Sequence, residues 1–194
     1  MIESIEVKEN LNQQQKKIHP HKFILWVAIS SIIMMFAGFT SAYIVKRDQP
    51  GWTTFLIPQA FWYSTAVILL SSLTIQMARK SFKQRQMLRY RNLLTGTVGL
   101  GIGFIALQFL GFRQIWNSGV TLRGSGAGQF LYVIAGLHAL HVLGGVIALT
   151  VMFFKAFSAR VRSYDSVPIE VVSTYWHFVD LLWIYLFIFF LAIH

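Results

Sequence analysis

Ionisable side chains are concentrated near the C-terminal end of the chain, where they are the first candidates for chemistry. His138 and His141 are three residues apart, so they would share one face of a helix. Glu170, His177 and Asp180 follow at spacings of seven and three residues, close to whole helical turns, and predict a second polar face. Both faces lie in strongly apolar segments, where ionisable groups are costly to bury and by default indicate function.

Three interpretations fit this polar cluster of His138, His141, Glu170, His177 and Asp180. Histidines on facing helices can ligate a haem, and histidine with carboxylate can ligate a metal ion. A series of Glu, His and Asp side chains can conduct protons or ions. The third interpretation is a set of polar groups that fix helix packing by bonding to one another. We favour the third, because the Glu-x-x-His pattern of a di-iron bundle is absent from the cluster and the other apolar segments carry no charge.

The elements that must position these groups are membrane-spanning helices. Of the 194 residues, 55% are hydrophobic and 12% are charged, about half of the roughly 25% that is usual in soluble domains. Five apolar segments reach the roughly 20 residues that a spanning helix needs, and they cover residues 23–45, 59–78, 93–112, 129–154 and 171–193. The sequence predicts an all-α integral membrane bundle of five helices, with residues 23–194 as its single domain. The lack of cysteine excludes disulfides and thiolate metal sites.

The net charge of +10 indicates orientation and does not indicate nucleic-acid binding. Of the 17 Lys and Arg residues, 13 lie in the N-terminal tail (residues 1–22) and in the second and fourth loops. This bias predicts a cytoplasmic N-terminus and an external C-terminus. The tail carries three Glu residues and precedes a long apolar segment, so we expect it to be cytoplasmic and uncleaved. Four basic residues at segment ends are candidates for contact with phospholipid headgroups: Arg79, Lys80, Lys155 and Arg160.

Short strings in the last two segments resemble subunit III of haem–copper terminal oxidases. Residues 175–180 read Tyr-Trp-His-Phe-Val-Asp, and Glu170 stands five residues before the tyrosine, where that family has a glutamate. Residues 138–142 read His-Ala-Leu-His-Val, with Gly145 four residues after the second histidine, and the Leu-Gln pair at residues 107–108 also matches. Over its whole length the chain resembles the short, five-helix bacterial form of the family.

The resemblance implies a non-catalytic subunit of a respiratory oxidase in the bacterial cytoplasmic membrane. Such a complex reduces oxygen to water and translocates protons, with electrons from cytochrome c or quinol. Subunit I holds the haem and copper, so no catalytic, cofactor or metal residue is expected on this chain. Subunit III is expected to stabilise subunit I, to protect the enzyme during turnover and to bind phospholipid in a cleft between its helix groups.

Several further partners and alternatives follow from the same resemblance. Subunit II, a small subunit IV and a respiratory supercomplex are implied as partners. The alternatives are subunit III of a quinol oxidase and the related accessory subunit of nitric oxide reductase. The polar cluster is then structural, with Glu170, His177 and Asp180 expected to pair with His138 or His141 across the contact between the fourth and fifth helices.

The chain departs from the family pattern at two positions. Many members carry a glutamate in the first helix of the five, where this chain has residues 32–35, Ile-Ile-Met-Met. Many also carry a glutamate shortly after the glutamine at position 108, where this chain has Gly111 and its neighbours. A role near proton uptake that depends on the first of these carboxylates therefore does not carry over to this chain.

Overall fold

The computed structural model describes residues 20–47, 58–119, 126–157 and 166–193, and these residues form five helices. The helices are α1 (Pro20–Arg47), α2 (Gln59–Lys83), α3 (Met87–Asn117), α4 (Gly126–Phe157) and α5 (Val167–Ile193). All five are long and apolar enough to cross a membrane, and the described residues contain no strand. The prediction of an all-α membrane bundle with five spanning helices is confirmed.

The helices continue beyond the apolar segments, most clearly between α2 and α3. A loop over residues 79–92 was expected there, but only Gln84–Gln86 separate the two helices, so that expectation is wrong. Basic side chains do not end a helix, because their long stems can extend toward water while the backbone stays helical. The turn is a Schellman-type cap, in which Arg85 has φ 57° and Gln86 N donates to Ser81 O at 3.0 Å.

Four of the helices form a ring. α2 packs against α3, α3 against α4, α4 against α5, and α5 returns to α2. α1 lies outside this ring, against α4 and α5. Each helix therefore packs on at least two others.

The centre of the ring is occupied by two fully buried tryptophans of α5, Trp176 and Trp183. The Trp183 ring lies edge-on to Phe61 of α2 (5.6 Å between centroids) and to Phe104 of α3 (5.5 Å). It also stacks on the His138 ring of α4 at 5.2 Å. One side chain of α5 thus contacts every other helix of the ring, and we expect it to contribute strongly to packing.

Trp176 fits into the ring because glycines face it from two helices. A Cβ atom at Gly145 of α4 would lie 2.9 Å from the Trp176 ring, and one at Gly101 of α3 would lie 3.0 Å from it. The indole is fully buried, so it has little room to move away. These two glycines allow α3 and α4 to approach α5 closely, as small residues commonly do between helices in membranes.

We predict that Gly145→Ala destabilises the protein by about 1–3 kcal/mol, the usual cost of overpacking a core. Gly144→Ala is the matched control, because a Cβ there would meet only the Tyr175 hydroxyl, at 3.8 Å. Thermal unfolding in mild detergent, followed by circular dichroism, compares the two variants. Equal melting temperatures for both would contradict the close packing of Trp176 against α4.

Candidate functional site

A stripe of hydroxyl groups on α2 provides hydrogen-bond partners for α5. Trp176 Nε1 donates to Ser71 Oγ (3.1 Å), and Trp183 Nε1 donates to Thr65 Oγ1 (3.0 Å). His177 Nδ1 and Ser72 Oγ are hydrogen-bonded at 2.6 Å. We call the α2 residues Ser64, Thr65, Ser71 and Ser72 the hydroxyl stripe. Since apolar surroundings make an unpaired polar group costly, these bonds favour the contact of α5 with α2.

The hydroxyl stripe also reaches α3. Gln108 Nε2 donates to Ser64 Oγ at 2.9 Å, and both side chains are buried. One turn beyond Ser71, Thr74 Oγ1 and Thr97 Oγ1 are hydrogen-bonded at 2.9 Å. The glutamine of the Leu-Gln pair therefore joins α3 to α2, and α2 contributes polar partners to both of its neighbours in the ring.

Glu170 forms ion pairs with two other helices at one end of the bundle. Its Oε2 lies 2.8 Å from Lys22 Nζ of α1, and its Oε1 lies 2.8 Å from Lys83 Nζ of α2. Arg79 of α2 is more distant, at 3.7 Å. We call these four residues the Glu170 cluster. Since α1 and α2 do not pack on each other, this carboxylate links two helices that otherwise lie apart.

The Glu170 cluster lies at what we call the basic end of the bundle. This end comprises the starts of α1, α3 and α5 and the ends of α2 and α4. Arg91 near the start of α3 donates to the Ala156 carbonyl near the end of α4 at 2.7 Å, which places those two helix ends together. Eight of the eleven Lys and Arg residues that the structure describes lie at this end, which is the end predicted to face the cytoplasm.

His138 and Asp180 are buried in the interior of the bundle. The His138 ring stacks on Trp183 and lies edge-on to Phe36 of α1 (6.5 Å) and Phe104 of α3 (6.4 Å). No described residue makes a hydrogen bond to either ring nitrogen of His138 or to either carboxylate oxygen of Asp180.

The expected pairing across α4 and α5 is wrong for Glu170 and His177. Glu170 pairs with cations of α1 and α2, and His177 bonds to Ser72 of α2. His141 Nδ1 donates within its own helix, to the Leu137 carbonyl at 2.7 Å. The α4–α5 hydrogen bond in this region runs from the Tyr175 hydroxyl to the His141 backbone carbonyl (3.0 Å). Helical periodicity predicts which residues share a face, but the packing of the helices decides what lies opposite that face.

The partners that were missed left a partial signal in the sequence. Lys22 and Lys83 flank apolar segments on the same predicted side as Glu170, and this shared side was the signal for an ion pair at that membrane surface. The hydroxyl groups of α2 gave a weaker signal, because small polar residues in a spanning helix indicate contact without naming the neighbour.

The headgroup candidates lie at different places around the basic end. Arg79 and Lys80 line one open groove on the outer side of α2. Lys155 is exposed in the last turn of α4. Arg160 lies outside the described residues. Of the four candidates, Arg79 and Lys80 therefore share a groove, and Lys155 lies apart from them on α4.

Metal binding was one of the interpretations of the polar cluster. Within residues 20–47, 58–119, 126–157 and 166–193, no group of three His, Asp or Glu side chains is arranged to hold a metal ion. The fold and the polar contacts together define a multi-pass helical membrane protein in which Trp176, Trp183, His177 and Glu170 bond to neighbouring helices.

The family model and the similar proteins that match this chain all carry the same family name. The family described as Cytochrome c oxidase subunit III matches residues 22–193. A "probable cytochrome c oxidase subunit 3" of Nocardia farcinica is 33% identical over 169 residues, which cover 84% of this chain and 82% of that protein. Mycobacterium leprae has a similarly named protein with the same identity and coverage. Cytochrome c oxidase subunit 3 of Bacillus subtilis is 26% identical over 174 residues, covering 86% and 84%.

The chain belongs to the cytochrome c oxidase subunit III family, as residues 138–142 and 175–180 predicted. It is therefore a haem–copper oxidase subunit III, and it associates with other oxidase subunits. It is a multi-pass protein of the bacterial cytoplasmic membrane, with five spanning helices.

We predict that the bond between Ser72 and His177 is worth about 0.5–1.5 kcal/mol, as for other hydrogen bonds between membrane helices. A double-mutant cycle of Ser72→Ala and His177→Ala, read from unfolding of the purified protein in SDS, measures this coupling. Thr65→Ala with His177→Ala is the control cycle, because Thr65 bonds to Trp183 instead. Additive effects in the first cycle would show that the Ser72–His177 bond does not stabilise the protein.

We predict that Glu170→Gln lowers the melting temperature by a few degrees at low ionic strength, because three cations lose their shared carboxylate. The effect should shrink at high salt, since the cationic partners are partly exposed to solvent and exposed ion pairs are screened. Lys80→Gln is the control, because Lys80 is not among the cations paired with Glu170. A loss that is the same at low and high salt would argue against an electrostatic cause.

Proposed function

We propose that this chain takes no part in the chemistry of oxygen reduction, stabilises subunit I of the oxidase and contacts phospholipid at its basic end. The observation that carries the proposal concerns residues 175–180 together with Trp183, which we call the α5 motif. Trp176, His177 and Trp183 bond to the hydroxyl stripe of α2. Groups used in this way hold a rigid helical body together, as a supporting subunit requires.

The outer surface of the bundle supports the same proposal. Large apolar side chains are exposed along several helices, among them Met34 (76%), Phe109 (67%) and Leu181 (67%). In a membrane such surfaces face lipid or the helices of another subunit. The interior of the bundle is joined by hydrogen bonds and its exterior is apolar. Such a bundle is suited to packing beside a larger membrane subunit and restraining the helices of that subunit.

Deletion of the chain tests the proposal directly. We predict that oxidase purified without it retains its haem spectrum, because the redox centres are proposed to lie in subunit I, but loses activity several-fold sooner during turnover. The measurement is oxygen consumption over successive turnovers, with the wild-type chain supplied from a plasmid as the control. An unchanged functional lifetime in the deletion complex would refute the stabilising role.

The same preparation addresses the alternatives. The catalytic subunit that co-purifies with this chain in mild detergent can be assayed with reduced cytochrome c, with quinol and with nitric oxide. Oxidation of cytochrome c is expected. Oxidation of quinol alone would indicate a quinol oxidase, and reduction of nitric oxide would indicate a nitric oxide reductase.

A further inference from the structure

An open groove of about 540 Å³ runs along the outer side of α2 near the basic end. Leu73 and Met77 line its part closer to the middle of the helix, and Arg79, Lys80 and Lys83 line its part near the helix end. The groove is therefore divided along the helix axis into an apolar half and a cationic half.

The two halves are separated by a distance that suits a phospholipid. Leu73 and Lys80 are seven residues apart, which corresponds to about 10 Å along the helix at roughly 1.5 Å per residue. Leu73 is 57% exposed and Met77 is 46% exposed, so both present apolar surface to the membrane. A lipid whose phosphate meets the cations would place its glycerol and upper acyl segments beside these two residues.

Charge in the groove favours an anion. Three cations line the groove. The nearby carboxylate of Glu170 does not neutralise them fully, because it is also paired with Lys22. Glu170 lies 2.8 Å from Lys83 but 3.7 Å from Arg79, so Arg79 is held less closely than Lys83. Lys80 is exposed and is not among the cations paired with Glu170. The Gln76 side chain lines the same groove and can hydrogen-bond to phosphate or glycerol oxygens.

We propose that this groove is a binding site for one anionic phospholipid, with the phosphate held by Arg79 and Lys80 and the acyl region packed on Leu73 and Met77. The proposal deepens the lipid contact in the proposed function and rests on it. Free phosphate compounds share the charge but lack the apolar part, and the apolar half of the groove lies on a membrane-spanning helix. The geometry therefore favours a lipid over a soluble anion.

Native mass spectrometry of the purified oxidase complex tests the site. Phosphatidylglycerol is titrated against phosphatidylcholine with the same acyl chains, for the wild type and for Lys80→Gln, Arg79→Gln and Arg89→Gln. We expect one saturable phosphatidylglycerol site that each of the first two variants weakens about fivefold, since a basic residue near the surface contributes roughly 1 kcal/mol. Arg89→Gln is the matched control, because this exposed arginine of α3 lies at the same end but outside the groove.

Three results would overturn the site. The first is unchanged phosphatidylglycerol affinity in Lys80→Gln, a variant whose exposed position leaves the ion pairs of Glu170 intact. The second is an equal loss in Arg89→Gln, which would indicate diffuse attraction to the basic end. The third is displacement of the lipid by glycerol phosphate at equal concentration, which would indicate a soluble-anion site. The outcome of the deletion experiment does not depend on any of these results. A refuted lipid site can therefore be distinguished from a refuted stabilising role.

Discussion

The hydrocarbon core of a membrane contains no water that could satisfy polar groups, and the arrangement of this bundle depends on that constraint. The indole nitrogens of Trp176 and Trp183 and the ring of His177 must find partners inside the protein. α2 provides them through Ser71, Thr65 and Ser72. The contact between α2 and α5 closes the ring of four helices, so the hydroxyl stripe and the α5 motif act as two parts of one structural element.

At the basic end the constraint is weaker, because charged side chains there can also contact water and lipid headgroups. Lys22 and Lys83 belong to helices that do not pack on each other, yet both reach the carboxylate of Glu170. Glu170 is mostly buried while its partners are more exposed, with relative side-chain exposures of 14% for Glu170, 40% for Lys22 and 52% for Lys83. Lys80, Arg89 and Lys155 are exposed at the same end, and Lys80 lines the groove that we propose as a lipid site.

Much of the fold could be predicted because its signals are local. Apolar segments of sufficient length identify each spanning helix, and the seven-residue spacing of Trp176 and Trp183 places both on one face of α5. The ends of α2 and α3 were not predictable in this way. Residues 79–92 are rich in basic side chains and resemble a loop, but their backbone is helical on both sides of the short turn around Arg85. The hydropathy pattern identifies where a helix leaves the apolar region, not where the helix ends.

The sequence by itself determined that the chain spans the membrane five times, that polar groups cluster in α4 and α5, and which family it belongs to. Only the tertiary structure decided the partners of those groups. His177 bonds to Ser72 of α2 and not to a histidine of α4, and Glu170 bonds to Lys22 and Lys83. The physical reason is that helical periodicity defines the face on which a side chain lies, whereas the neighbour opposite that face is set by how all five helices pack together.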